Sequence, residues 1–244
     1  ADDLQVTPAT SLNDDERVTQ LGLDAVDALH RNAEDSGLRV YHYGITVNNP
    51  IGRAYYGLYN SLSVLVETRG IGAGATNFER RVYSQQLSAH SIIDYAVAND
   101  DAINEAVSDA RLQVIADGEA FNSDDIVVLH QVASGATQSA PPLTRYQYSV
   151  DGSDTNTSTA TLAINDTVVR SRIRPTAYVI PKDIPNAEKI LYILDNQGAE
   201  YYELAPGSTA NLKQYYYVGE YTYEGSSKGF TADLREEAAV TFDQ

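Results

Sequence analysis

Glu67 stands at the end of the run Leu62 to Val66 and just before a stretch carrying Gly70, Gly72 and Gly74. Such a run predicts a buried strand. A carboxylate at the carboxyl end of a buried strand lies in the crevice where open α/β sheets take their ligands. Partial burial in such a crevice suits a carboxylate to accept and return protons, the work of a general base. The same pattern also fits a structural ion pair between Glu67 and Arg69, because ion-pair networks occupy strand ends too.

The other chemistry-bearing residues are few. There is no cysteine, which excludes disulfides, thiolate catalysis and zinc sites built on sulfur. Of the four histidines, His30 lies one helical turn before Glu34, a spacing a metal can use, but also a place where a helix C-terminus favours a cation. His42, with Tyr41 and Tyr43, could line the same crevice as Glu67, whereas His90 and His130 read as structural. There is no Gly-x-Ser-x-Gly elbow, phosphate loop or dinucleotide fingerprint. The 18 tyrosines gather at 41/43, 55/56/59, 201/202 and 215/216/217/221/223. At strand spacing such stripes are usually cross-strand packing, with sugar binding by the last cluster the alternative.

These residues need elements to position them. Asn13 or Asp14 can cap a helix over 15–33, whose apolar positions Val18, Leu21, Ala25, Val26 and Leu29 recur at three and four residues. Residues 1–12 read as irregular and 38–47 as a strand, followed by an Asn-Asn-Pro loop and a short helix over 53–60. A long helix over 77–111 carries Val82, Leu87, Ile92, Ile93, Val97, Ile103 and Val107 as its core stripe, with a break near Asn99. Beyond Val114, strands are expected at 126–131, 144–150, 158–164 and 167–173, with 151–158 a surface loop. From Arg174 a βαβ-like unit follows, with strands at 176–180 and 199–204 around a helix over 184–196 that ends at Gly198. Strands at 213–223 and 235–242 close the chain.

Composition narrows the partners. The 17 Lys and Arg against 34 Asp and Glu give a net charge of −17, which disfavours nucleic acid and anionic membrane surfaces. No apolar run approaches the roughly 20 residues of a membrane helix. With no methionine and a start at Ala1, the sequence reads as part of a longer protein.

The string Gly52-Arg-Ala-Tyr-Tyr-Gly-Leu-Tyr-Asn-Ser-Leu-Ser-Val-Leu-Val-Glu-Thr-Arg-Gly70, followed by Asn77-Phe-Glu-Arg-Arg-Val-Tyr83, resembles the end of the catalytic domain of bacterial M14-type zinc carboxypeptidases. There a strand ends in Glu-x-Arg and the Glu is the general base. The resemblance covers about residues 13–111, with a looser likeness from Ile173 on. It implies a partial zinc-carboxypeptidase-like α/β layer, a mixed sheet with helices, over residues 1–112. A small β unit at 113–173 and a β-rich α+β tail at 174–244 would follow. It implies Glu67 as the base, Arg69 as the group holding that carboxylate's environment, Arg53 for the substrate carboxylate and Tyr43 for the capping tyrosine. Zinc would belong to the full-length enzyme, because no histidine here is followed by Glu at the third position. The implied partner is a peptide or protein substrate and the implied location periplasmic or secreted. A small-amide deacylase with the same chemistry, and a non-catalytic accessory module that binds a polymer or protein, are the alternatives.

Overall fold

Leu4–Pro8 forms β1, the central strand of a sheet of order β2-β1-β3. In this computed structural model the described residues are 3–43, 51–68, 70, 74–132, 143–148, 155–160, 164, 166–205, 209–217, 222–223, 230–231 and 234–243. For 143–148, 155–156, 159–160 and from 209 onward the backbone alone is described. The irregular segment expected at 1–12 therefore contains the middle of the sheet. Five residues flanked by Asp3 and ended by Pro8 show too little alternation for a sequence signal, and Leu4, Val6, Thr7 and Pro8 are all buried.

From β1 the chain enters α1, Glu16–Asp35, started by Asp15, whose carboxylate accepts the Arg17 N–H at 2.9 Å. It returns as β2, Val40–His42, parallel to β1. After α2, Gly52–Gly57, comes β3, Val64–Thr68, antiparallel to β1 and paired with no other described strand. The strand expected to be buried is thus an edge strand: Val64, Leu65 and Val66 are only half-buried and Glu67 is exposed.

The helix expected over 77–111 is two, α3 at Phe78–Ala98 and α4 at Asp100–Glu119, broken at Asn99. Its core stripe differs from the periodicity reading. Ile93 and Val97 are exposed at 57% and 71%, while Ser84, Ser88 and Ser91 are buried. Those serines can face the core because Ser84 and Ser88 each donate to the carbonyl four residues earlier at 2.8 Å, and Ser91 accepts from Asn32 Nδ2 at 3.1 Å. Small, satisfied hydroxyls let two helices approach closely. The resulting core joins Leu4 and Val6 of β1, Val26, Leu29 and Ala33 of α1, and Val40 of β2, with Val64, Val66, Leu87 and Ile92 against it.

Two antiparallel pairs follow: β4, Ile126–Val132, with β7, Thr167–Ile173, and β5, Leu143–Tyr148, with β6, Thr155–Ala160. β6 occupies part of the stretch read as a surface loop, because cross-strand pairing with β5 supplies the order that its polar composition does not suggest. β4 is fastened to the segment after β1. Asn13 and Val128 exchange two hydrogen bonds of 2.8 Å, and Gln131 bridges the Leu12 N–H and the Thr10 carbonyl.

The chain divides into two units, residues 1–177 and 178–244. In the second, α5, Ala187–Gln197, ends at Gly198 in the left-handed region, φ 69°, as expected of a glycine cap. Its neighbours do not complete a βαβ unit. Residues 176–180 and 199–204 form no strand; Tyr201 instead donates to Asp195 Oδ1 at 2.9 Å, and Lys182 pairs with Glu203 at 2.7 Å. Strand β8, Thr209–Tyr217, pairs antiparallel with β11, Leu234–Asp243, and short β9, Thr222–Tyr223, pairs with β10, Phe230–Thr231.

Candidate functional site

Strand alternation divides the first sheet into two faces. Leu4, Val6, Val40 and Val66 meet the helices; Tyr41, Gln5 and Glu67 form one row on the other face, since Gln5 stands opposite Tyr41 on one side and Glu67 on the other. We refer to these as the inner and outer faces. Glu67 projects from the outer face, with Gln5 and Tyr41 half-buried beside it.

Arg53 comes to this row from α2. It is only 7% exposed. Burial pulls its pKa down from the ordinary arginine value, against the opposing pull of Tyr43 and Glu67, which both favour the cation. A guanidinium remains charged under these conditions. Of the four residues singled out from the sequence, Glu67 and Tyr43 each lie within electrostatic range of Arg53. Arg69 lies outside the described residues.

The local scaffold explains how Arg53 is held. Helix α2 runs tightly against the chain leaving β1: a Cβ at Gly57 would stand 2.7 Å from both Ala9 Cβ and Asp14 Oδ2. Asn60, at φ 50°, accepts the Asp15 N–H at 2.9 Å through its side chain, and Ala9 N–H donates to the Ser63 carbonyl at 2.9 Å. Asp14, largely buried here, has its pKa raised to about 6 because desolvation outweighs the hydrogen bond from the Ser11 N–H.

After Glu67 the chain is tied to α3. Arg81 donates to the carbonyls of Gly74, at 2.8 Å, and Gly70, at 3.5 Å, and Gln85 reaches Thr68 Oγ1 at 3.4 Å. Asp3, ahead of β1, is bound by Arg80 through two bonds of 2.7 Å and accepts the Arg39 N–H at 2.8 Å. Its burial works to raise the carboxyl pKa, but these partners together hold it below the ordinary value. Gln5 and Arg81 were not singled out from the sequence. A polar residue inside Leu-Gln-Val-Thr-Pro would have marked Gln5 once that segment is known to be a strand; Arg81 carries no comparable signal.

His42 does not join this group. Its register places it beside Val6 on the inner face, where its ring meets that of His30 at a centroid distance of 5.0 Å. His30 likewise packs inward at 1% exposure, so the spacing to Glu34, which is exposed, does not become a ligand pair. His90 lines a shallow groove of about 480 Å³ between α1 and α3 together with Asn32, Asp35 and Asp94, and His130 is exposed on β4.

Among the described residues there is no group of three or more His, Asp or Glu side chains able to hold a metal ion. The surroundings of Glu67 fit a divalent cation poorly: its described neighbours are the Gln5 amide and, within electrostatic range, the Arg53 cation. No helix among the described residues is long and apolar enough to cross a membrane.

No family model matches the chain, and no solved structure matches it. It is similar to fungal proteins named for carboxypeptidase activity. It is 28% identical over 244 residues to the probable carboxypeptidase 2 of Trichophyton verrucosum, covering 92% of this chain and 45% of that protein. With the probable carboxypeptidase 2 of Arthroderma benhamiae it shares 29% identity over 178 residues, 72% of this chain and 32% of that protein. With the carboxypeptidase 2 of Trichophyton rubrum it shares 27% over 236 residues, 90% of this chain and 40% of the relative. The chain thus spans less than half the length of these relatives.

Proposed function

We propose that this chain is the Glu67-bearing portion of a zinc carboxypeptidase of the M14 type, with a carboxypeptidase-like mixed sheet in its first unit. The observation that supports this reading most is that Arg53 of α2 lies within electrostatic range of Glu67 on β3 and of Tyr43 just beyond β2. The similarity to fungal carboxypeptidases supports it independently. The zinc has no ligand set among the described residues and is assigned to ligands elsewhere in the whole protein. The partner is a peptide or protein substrate in a periplasmic or secreted setting, with neither nucleic acid nor membrane involved.

The four side chains divide the work by their chemistry. Glu67, exposed on the outer face, accepts a proton from the attacking water and returns it to the departing amine. Arg53, a buried cation, receives the terminal carboxylate of the substrate through paired N–H donors. Tyr43 closes over the substrate, and Arg69 steadies the Glu67 carboxylate.

The test is Glu67→Gln in the full-length protein with C-terminal peptide substrates. Kcat falls by roughly 10² to 10⁴ with little change in KM if Glu67 is the general base. Retention of activity by that variant, or full-length protein that binds no zinc, would refute the reading.

The other reading is a non-catalytic accessory module that binds a polymer or protein and in which Glu67, exposed on an edge strand, is structural. That module predicts a whole protein that binds a partner without hydrolysing peptides.

A further inference from the structure

The inner face holds a titratable pair that the proposed chemistry does not use. His30 and His42 are 1% and 6% exposed, and their rings meet edge to face at 62°. Neither ring nitrogen of His30 has a hydrogen-bond partner. Among the described residues the surroundings offer no acidic partner to balance a charge there. β1 contributes Leu4 and Val6 to this core, β3 contributes Val64 and Val66, and α3 contributes Leu87 and Ile92. The titratable residues of α3 nearest the end of α1, His90 and Asp94, line the groove with Asn32 and Asp35 instead. From β2 the facing group is His42, and along α1 it is Arg31, whose guanidinium is engaged by Asp27, with Glu34 exposed one turn on. α4 reaches α1 at the far end of the helix, where Arg17 pairs with Asp109.

The geometry points to an acid-sensitive latch: the His30–His42 contact holds β2 against α1 only while His30 is uncharged, and mild acid loosens β2 together with Tyr43 at its end. An imidazolium at His30 would be a buried cation with no acceptor among the described residues, disfavoured further by Arg31 and His42. β2 is short, lies at the edge of its sheet and is paired there with β1. It spans three residues, and Tyr43 is anchored beyond it by its N–H to the Val6 carbonyl at 3.1 Å. Loosening His42 therefore loosens the tyrosine assigned to the substrate. The latch itself is a property of folding and stands whether or not the peptidase reading is correct.

The direction of the pH effect follows from the burial. Burial first, then His42 and Arg31, depress the His30 pKa from 6.5 to about 3. Above pH 6.5 neither folded nor unfolded chain binds the proton and stability is unaffected. Between 6.5 and about 3 the unfolded chain takes a proton that the folded chain refuses, so stability is lost as pH falls. Asp14 acts in the opposite sense. Its folded pKa of about 6 lies above the unfolded 3.8, so it adds stability as pH drops through that interval. A comparison between variants at each pH removes the Asp14 contribution.

The experiment measures the folding equilibrium constant of the chain by urea titration at pH 7, 6, 5 and 4.5, for the natural sequence and for His30→Leu. The ratio of variant to natural constant is expected to rise roughly 80-fold from pH 7 to 4.5. A ratio that stays constant overturns the latch. Imidazole NMR of the natural protein supplies a readout should the variant fail to fold: His30 stays neutral in the folded chain at pH 4.5, with hydrogen exchange at Val40–Tyr43 accelerating beyond its intrinsic pH dependence. A His30 that titrates near 6.5 in the folded chain overturns it. No substrate enters either measurement, so failure of the latch and failure of the peptidase reading are separate results.

Discussion

The inner and outer faces of the first sheet share three strands and differ in almost everything else. Inward, Leu4, Val6 and Val40 are each no more than 2% exposed and pack against Val26 and Leu29. Outward, one residue along each strand, Tyr41, Gln5 and Glu67 form a polar row. The comparison teaches that alternation along a strand separates two tasks. Burial of apolar surface on one side supplies the stability that allows polar side chains to stand on the other.

The separation breaks most visibly if the inner face is hollowed. Leu29→Ala, at a fully buried position, should cost about 2–5 kcal/mol of unfolding free energy by urea titration. A cost below about 1 kcal/mol would mean that α1 is not the main seal of the sheet. The link between the faces is tested next. Gly57→Ala forces a Cβ to within 2.7 Å of Ala9 and Asp14, displacing the helix that carries Arg53. A loss of about 1–3 kcal/mol is expected. The smallest effect belongs to the outer face: Glu67→Gln should change stability by no more than about 0.5 kcal/mol, because the side chain is exposed on an edge strand. A large loss there would make Glu67 a structural group and remove its claim to chemistry.

Some of this arrangement is legible in the residues alone and some is not. The helix over α1 follows from its three-and-four spacing, although its cap is Asp15 and not the expected Asn13 or Asp14, and Asn99 marks the break between α3 and α4. β1 escapes notice because five residues, one of them proline, do not complete a period, yet register with two neighbours makes it the centre of the sheet. The α1–α3 seam escapes notice for a chemical reason. Hydropathy counts Ser84 and Ser88 as polar, while hydroxyls that bond to their own helix behave as small packing groups. For the candidate site, Glu67 stands out by its type and place at a strand end, whereas Arg53 and the substrate role of Tyr43 come only from the family resemblance. Gln5 becomes visible only with the pairing, and His42 turns to the opposite face by the same odd-and-even rule that turns Tyr41 outward.

The edge position of β3 has one last consequence. Sliding the strand by a single residue along β1 would exchange its two rows, driving the Glu67 carboxylate beneath α1 and lifting Val66 into water. What prevents that slide is a pair of pins at its ends, the Ala9–Ser63 backbone bond before it and the Gln85–Thr68 contact at its close. The aim of the carboxylate is thus decided by bonds that it does not itself make.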